Sequence, residues 1–348
     1  VDGTLTGSVN NDKRLDVAGT VSGKVNNKDG GTLISTGNIG ALENDSEHAT
    51  ISGTVTGDVE NKDDGVLVSS AAIGGDVQND GTATLSNSVG GTITNDGTLN
   101  VAGNLTTGQN VNGSGATVIN NHTLNLSGNL TGRVQNDGTM NMTGGSLTGS
   151  LVNTDLLTLS GNNSVSGDLT STGMILGTSP DASLSLTDGI FFLTDGEVNV
   201  TAGNTLTITA DLFDIGEDAD YENANVTLIG GLANSGTMNL SDADTLEGDL
   251  LNRATGDATI SAGIDAAEFD VTNEGDFLVT SDANTVGNLH NVTTLTNSGT
   301  FDIDSGASVS AVNTVNTDGT MTVGGSLTTG TVDIQQNATL ELEGGTVT

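Results

Sequence analysis

Asp214, Glu217, Asp218, Asp220 and Glu222 form the densest cluster of charge in the sequence. Carboxylates crowded onto one loop are the raw material of a calcium site, because Ca2+ takes about six to eight oxygen ligands in flexible geometry. Their spacing is not that of an EF-hand, and no nonapeptide calcium-roll repeat occurs along the chain. The expectation is a solvated acidic loop and no required cofactor, with calcium at Asp214–Glu222 the one ion to consider. Asp242 with Asp244, and Asp302 with Asp304, fall on alternate positions of strand-like segments and are expected to face solvent.

Other chemistry finds less material. His48, His122 and His290 are far apart and share no ligand spacing, so zinc is not expected. There is no cysteine, hence no thiol nucleophile, and no serine sits in a nucleophile elbow. Gly144-Gly145 is not followed by a lysine in the place a phosphate loop needs, and reads as a turn. A lyase acting on uronates wants a basic catalyst and cations to neutralise carboxylates. The basic residues are Lys13, Arg14, Lys24, Lys28, Lys62, Arg133 and Arg253, most of them early in the chain at turn-like places. Paired aspartates suited to glycoside hydrolysis cannot be dismissed by count, but the aromatic platform that holds sugars is missing. No residue is assigned as catalytic, cofactor-binding or metal-binding. A polysaccharide-active enzyme remains the weaker alternative to a non-catalytic protein.

The elements that would position any site follow from composition. Over 348 residues aromatics are 2%, with no Trp, one Tyr and six Phe, while Gly occurs 51 times and Pro once. A core of Val, Leu, Ile and Met alone suits a narrow interior, filled by stacking like neighbours, better than a thick globule. Seven Lys and Arg against 44 Asp and Glu give a formal net charge of −37. That charge excludes nucleic acid as a natural partner, since phosphate binding needs a basic footprint, and it disfavours an anionic membrane surface. Without disulfides, stability must come from stacked backbone hydrogen bonds, and a cysteine-free chain suits export across a bacterial envelope. No apolar run approaches the ~20 residues of a membrane span. Val1 opens directly in repeat-like sequence, as expected of a mature or excised piece of something longer.

The repeat is a turn followed by an alternating strand. Asn95-Asp96-Gly97-Thr98-Leu99-Asn100-Val101 matches Asn136-Asp137-Gly138-Thr139-Met140-Asn141-Met142, and Asn234-Ser235-Gly236-Thr237-Met238-Asn239-Leu240 matches Asn297-Ser298-Gly299-Thr300-Phe301-Asp302-Ile303. Asn, Asp and Gly supply turn chemistry, and the apolar-x-apolar triplet places its outer members on one strand face. A second short strand precedes the turn, as in Val55-Thr56-Gly57-Asp58-Val59 or Leu130-Thr131-Gly132-Arg133-Val134, its central glycine marking a corner or bulge. Inward pairs such as Leu15/Val17, Ala49/Ile51, Val66/Val68, Ala83/Leu85, Leu99/Val101 and Met174/Leu176 recur at roughly 16–18 residues, and the later set from Leu240 to Leu342 at about 19–24. The fold class this predicts is an all-β, single-chain parallel β-solenoid of roughly 16–24 residues per rung, about 17–20 rungs and ~80–95 Å of rod, right-handed by the crossover preference.

Asn-x-Gly-Thr-apolar-x-apolar, repeated with ladder-forming Asn and Thr, resembles the β-helical stalks of bacterial autotransporter passengers and of haemagglutinin-type, two-partner-secreted adhesins. The resemblance covers most of the chain, although no C-terminal membrane-barrel segment or secretion-cap motif accompanies it. It implies a secreted or cell-surface location and a role as stalk, adhesin or filament subunit, a surface-layer or matrix protein being the alternative. The expected organisation is a regular solenoid over 1–176, irregular rungs or a lateral excursion over 177–225, and a solenoid of longer rungs over 226–348. The middle segment holds Pro180, Phe191, Phe192, Phe213 and Tyr221, and a smaller excursion is expected within 104–122. Expected partners are other copies or adjoining parts of a longer chain, met through the solenoid ends, and a host, cell-surface or glycan receptor. Nucleic acid and membrane insertion are not expected.

Overall fold

The computed structural model describes residues 1–108, 117–223, 225–241, 245–261, 263–265, 269–281 and 288–348. These form strands and turns, with no helix among the described residues. Every strand pairing described is parallel, the arrangement of a β-solenoid. The chain divides into two compact units, Val1–Gly167 and Asp168–Thr348.

In the first unit most coils contribute three short strands, while Thr20–Asn27 and Asn38–Asn44 each run two of the faces as one longer strand. One coil runs through Val77–Asn79, Thr82–Leu85 and Asn87–Val89, and the next begins at Ile93–Asn95. The three stacks they build are termed here the asparagine face, the central face and the third face. On the central face the step from coil to coil is 16 or 18 residues from Leu15↔Leu33 to Ala83↔Leu99, and 25 between Leu99 and Leu124. The excursion expected within 104–122 falls largely on residues 109–116, which lie outside the described set. Of the residues flanking them, Thr107 Oγ1 donates to Thr117 Oγ1 at 2.7 Å.

Two inward columns fill the central face, and over four successive coils their sizes compensate. These carry Leu33 with Ser35, Ala49 with Ile51, Leu67 with Ser69, and Ala83 with Leu85, all buried. A large residue in one column meets a small one in the other, so these four coils insert similar volumes. From Leu99 with Val101 to Leu157 with Leu159, by contrast, both columns are large. The turn sets the phase. Val66 and Met174 follow a turn glycine directly and occupy the place of the repeat threonine, so Leu67 and Ile175 face inward while Val68 is 46% and Met174 36% exposed. The inward pairs Val66/Val68 and Met174/Leu176 expected from alternation are therefore off by one residue. In an all-apolar triplet alternation has no preferred phase, whereas distance from the turn does.

Corner glycines are needed because coils approach closely there. At Gly149 φ is +143°, and a Cβ would stand 2.1 Å from the carbonyl oxygen of Gly132 in the coil before.

In the second unit the central-face steps are 19 to 24 residues from Ala258 onward, as at Ala258↔Phe277, Phe277↔Phe301 and Phe301↔Met321. Several coils run the third and asparagine faces as one long strand, Val226–Asn234, Asn288–Asn297 and Ser308–Asn316 among them. The segment 177–225 keeps parallel register, with Phe191↔Phe213 and Phe213↔Leu232 on the asparagine face. Phe191, Phe213 and Tyr221 are buried inside these coils, edge to face at centroid distances of 4.5 and 5.8 Å. Phe277 and Phe301 stack at 4.8 Å with 13° between planes. The rings serve as core.

Candidate functional site

The most continuous chemical feature is a column of buried asparagines. In each Val-x-Asn strand the apolar residue and the asparagine share a parity, so both face inward. In the first unit, Asn11 Nδ2 donates to Asn27 Oδ1 at 2.7 Å and Asn27 to Asn44 at 2.8 Å. The chain of bonds continues through Asn61, Asn79, Asn95, Asn120 and Asn136 to Asn153. All but Asn11 are 0–1% exposed. Each amide also reaches a turn carbonyl or the strand beyond it. Asn79 Nδ2, for example, contacts Gly81 O and Thr98 O at 3.1 Å each. The ladder thus fixes the turn as well as the stacking. A primary amide has both donors and acceptors, which lets one residue type repeat without a partner of a second type.

In the second unit the same position reads Ser171, Leu193, Ile215 and then Asn234. The ladder restarts at Asn234 and runs through Asn252, Asn273 and Asn297 to Asn316 at 2.8–2.9 Å. Ile215 cannot donate, and the buried Oδ1 of Asn234 has no hydrogen-bond partner. Turn chemistry alone reads these residues as turn formers, and a ladder is expected only through the resemblance to solenoids with ladder-forming Asn. The apolar-x-Asn parity, as in Val59/Asn61 and Ile93/Asn95, was the available signal.

The acidic residues also work between coils. At the corner before the asparagine face, Asp58 Oδ1 accepts the backbone N–H of Asp76 at 3.0 Å, and Asp76 Oδ1 accepts that of Thr92 at 2.8 Å. Ser8 and Thr117 do the same for Lys24 and Arg133. In the second unit Asp168 and Asp249 repeat the device toward Ile190 and Asp270. At the turn, Gln78 Nε2 donates to both Asp80 and Asp96 at 2.6 Å, tying together two stacked carboxylates.

Among the described residues, Glu43 is the carboxylate held far from its ordinary range. Lys24 Nζ and Lys62 Nζ both contact it, the latter at 2.5 Å. Hydrogen bonding to Lys24 and then Lys62 lowers its pKa from 4.5 to about 2, against an opposing effect of burial. The same bond raises the pKa of Lys62. Beside this cluster lies a groove of about 520 Å³ bordered by Asn10, Asn26, Lys28 and Asp45. A second groove, of about 380 Å³, lies in the second unit between Thr172, Met174, Asp195, Glu197 and Asp218.

Three members of the acidic cluster are described. Asp214 is taken by Arg253, whose Nη1 donates to Asp214 Oδ1 at 2.6 Å and to Ser235 Oγ at 3.0 Å. Glu217 and Asp218 are exposed, while the side chains of Asp220 and Glu222 lie outside the described residues. Among the described residues no group of three His, Asp or Glu is placed to hold a metal ion. Asp302 faces outward as expected and Asp304 accepts from Thr280 Oγ1 at 2.7 Å, while Asp242 and Asp244 lie outside the described residues. The histidines stay apart, His122 beside Thr123 and His290 beside Ser310. No described helix is long and apolar enough to cross a membrane. Neither the family models nor the curated proteins match this chain.

Proposed function

We propose that the chain is an extracellular bacterial surface solenoid, a non-catalytic stalk, adhesin or filament subunit. One observation carries the reading. Polar side chains are used to hold coil to coil: the buried amides in a ladder, the corner aspartates on backbone N–H groups, Arg253 on Asp214. A protein organised this way resists extension and presents long faces, the work of a scaffold.

Its partners are further coils of the same kind, in a second copy or a longer chain, and a surface receptor. Val1 and Leu5 in the first coil are 37% and 39% exposed, and Ile334 and Leu342 in the last coils 39% and 58%, leaving apolar columns open to another coil. Protease shaving and antibody labelling of intact producing cells test the location, and a deletion strain tests adhesion. The expected result is surface labelling with loss of attachment. A protein found only inside cells, or an uronate-lyase or glycosidase activity in the purified chain, would overturn the reading.

A further inference from the structure

We infer that the central face of the first unit, over the coils from Thr82 to Thr158, is a docking surface for a neutral polysaccharide. The inference deepens the adhesive reading and rests on it.

The first observation is charge. In a chain of net −37, the outward positions of four successive central-face strands carry no charge, running from Thr82 and Thr84 to Thr139 and Asn141. Leu156 and Thr158 extend the uncharged run by one more coil. The equivalent positions of the second unit carry Asp257, Asp276, Asp302 and Glu341. An acidic surface repels uronates and sulfated glycans, so a partner meeting this bare face is an uncharged one.

The second observation is unspent hydrogen bonding. Among the described residues, the hydroxyls of Thr82, Thr84, Thr98 and Thr139 make no hydrogen bond, and each is half-buried beside its stacked neighbours. Asn125 donates to Asn100 and Asn141 to Asn125, each at 2.8 Å, and Thr158 Oγ1 donates to Asn141 Oδ1 at 2.6 Å. Each amide has a second N–H that this outer ladder does not use. The ladder also orders the side chains, so less rotamer freedom is lost when a partner binds.

The third is repetition. Donors and acceptors recur every ~4.8 Å along the stack and ~6.6 Å across it, over ~19 Å in all. A partner that fills such an array is itself a repeating polymer rich in hydroxyls. No aromatic ring lies on these outward positions, so individual sugars are held weakly and affinity comes from many contacts along one chain.

The test is affinity electrophoresis of the full chain through gels containing dextran, soluble mannan or hydroxyethyl cellulose, with alginate and polygalacturonate as anionic comparisons. The expected result is retardation by a neutral polymer that grows with polymer length and is absent with the anionic ones. Replacing Thr82, Thr84, Thr98 and Thr139 together by valine preserves strand shape and removes the hydroxyls. It should weaken retention about tenfold or more, while the same change at Thr237 and Thr300 in the second unit leaves it intact. Circular dichroism of both variants checks folding. Absence of retardation by all three neutral polymers, or equal retention of the two variants, would overturn the inference. A concentration-dependent dimer abolished by the first variant would overturn it too, assigning the face to a second copy. Failure here leaves surface location untouched, whereas cytoplasmic location would remove the reading beneath it.

Discussion

Replacing Asn79 by alanine tests the ladder where it is most continuous. Asn79 accepts from Asn61 at 2.8 Å and donates to Asn95 at 2.7 Å, and its amide also contacts Gly81 O and Thr98 O. Truncation leaves the Oδ1 of Asn95 without its donor, in a site that is 0% exposed. An orphaned buried acceptor costs about 1–3 kcal/mol and each other lost bond about 1 kcal/mol. Asn61 keeps its contacts to Gly65 O and Thr82 O, so its loss is partial. The expected destabilisation is about 3–5 kcal/mol.

Two comparisons isolate the cause. Asn316 ends the second unit's ladder and is followed in register by Ile334, so Asn316→Ala orphans no acceptor. It loses the bonds to Gly319 O and Thr339 O and part of that from Asn297, and should cost about 2–3 kcal/mol. Asn26 lies on the outer surface with a single exposed bond to Asn10, and Asn26→Ala should cost less than about 0.5 kcal/mol. Stacked coils need not unfold in one step. Urea denaturation should therefore be paired with hydrogen exchange, which is expected to show lost protection centred on residues 59–101 in Asn79→Ala. Equal midpoints for Asn79→Ala and Asn26→Ala, or a loss of protection spread evenly over the first unit, would refute the ladder as the source of stability.

Other expectations follow from the same geometry. Ile215→Asn should supply the missing donor to Asn234 Oδ1 and stabilise the second unit or leave it unchanged, read as a raised urea midpoint, whereas a loss above about 1 kcal/mol would show that the apolar contact outweighs the amide. Leu85→Ala should cost about 2–5 kcal/mol and Ala83→Leu about 1–3 kcal/mol, while the exchanged pair costs clearly less than their sum in a double-mutant cycle, because the coil regains its volume. Glu43 is depressed in the folded chain, so its contribution is complete above pH 4.5 and is lost as pH falls toward 2. Glu43→Gln should lower stability at neutral pH by about 1–2 kcal/mol after solvent screening and flatten the acid limb of the stability profile between those values.

The rung was legible because its signals agree: turn residues, a two-residue alternation and a fixed distance between them. Phase was less legible. Val66-Leu67-Val68 and Met174-Ile175-Leu176 are apolar throughout, so hydrophobicity could not say which member faces inward, and only the preceding turn glycine decides. The asparagine ladder was legible through the resemblance to ladder-forming solenoids and not from single copies of the repeat. Asparagine is common in turns, and each copy does adjoin one, yet its burial depends on a neighbour 16 to 25 residues away that satisfies its amide. The role of Asp58 and Asp76 is equally non-local, since a carboxylate read alone is a surface charge and becomes a structural acceptor only when the next coil places an N–H beneath it.

These points bear on how a chain of net −37 stacks its coils at all. Parallel stacking in register places like residues over like, which for aspartate should repel. Three devices offset this. Corner aspartates face backbone N–H groups, so each carboxylate meets a donor before it meets its neighbour. Turn aspartates share an amide donor, as Asp80 and Asp96 share Gln78. Where glutamates stack, at Glu43 and Glu60, lysines from adjoining coils lie between them. The interior then needs only neutral columns, and there the amide of asparagine does what no charged pair could, bonding to its own kind through consecutive coils without a net charge to bury. Charge is confined to positions where the next coil supplies a donor or where water does. The stack can therefore carry a strongly acidic exterior and still leave one broad face bare.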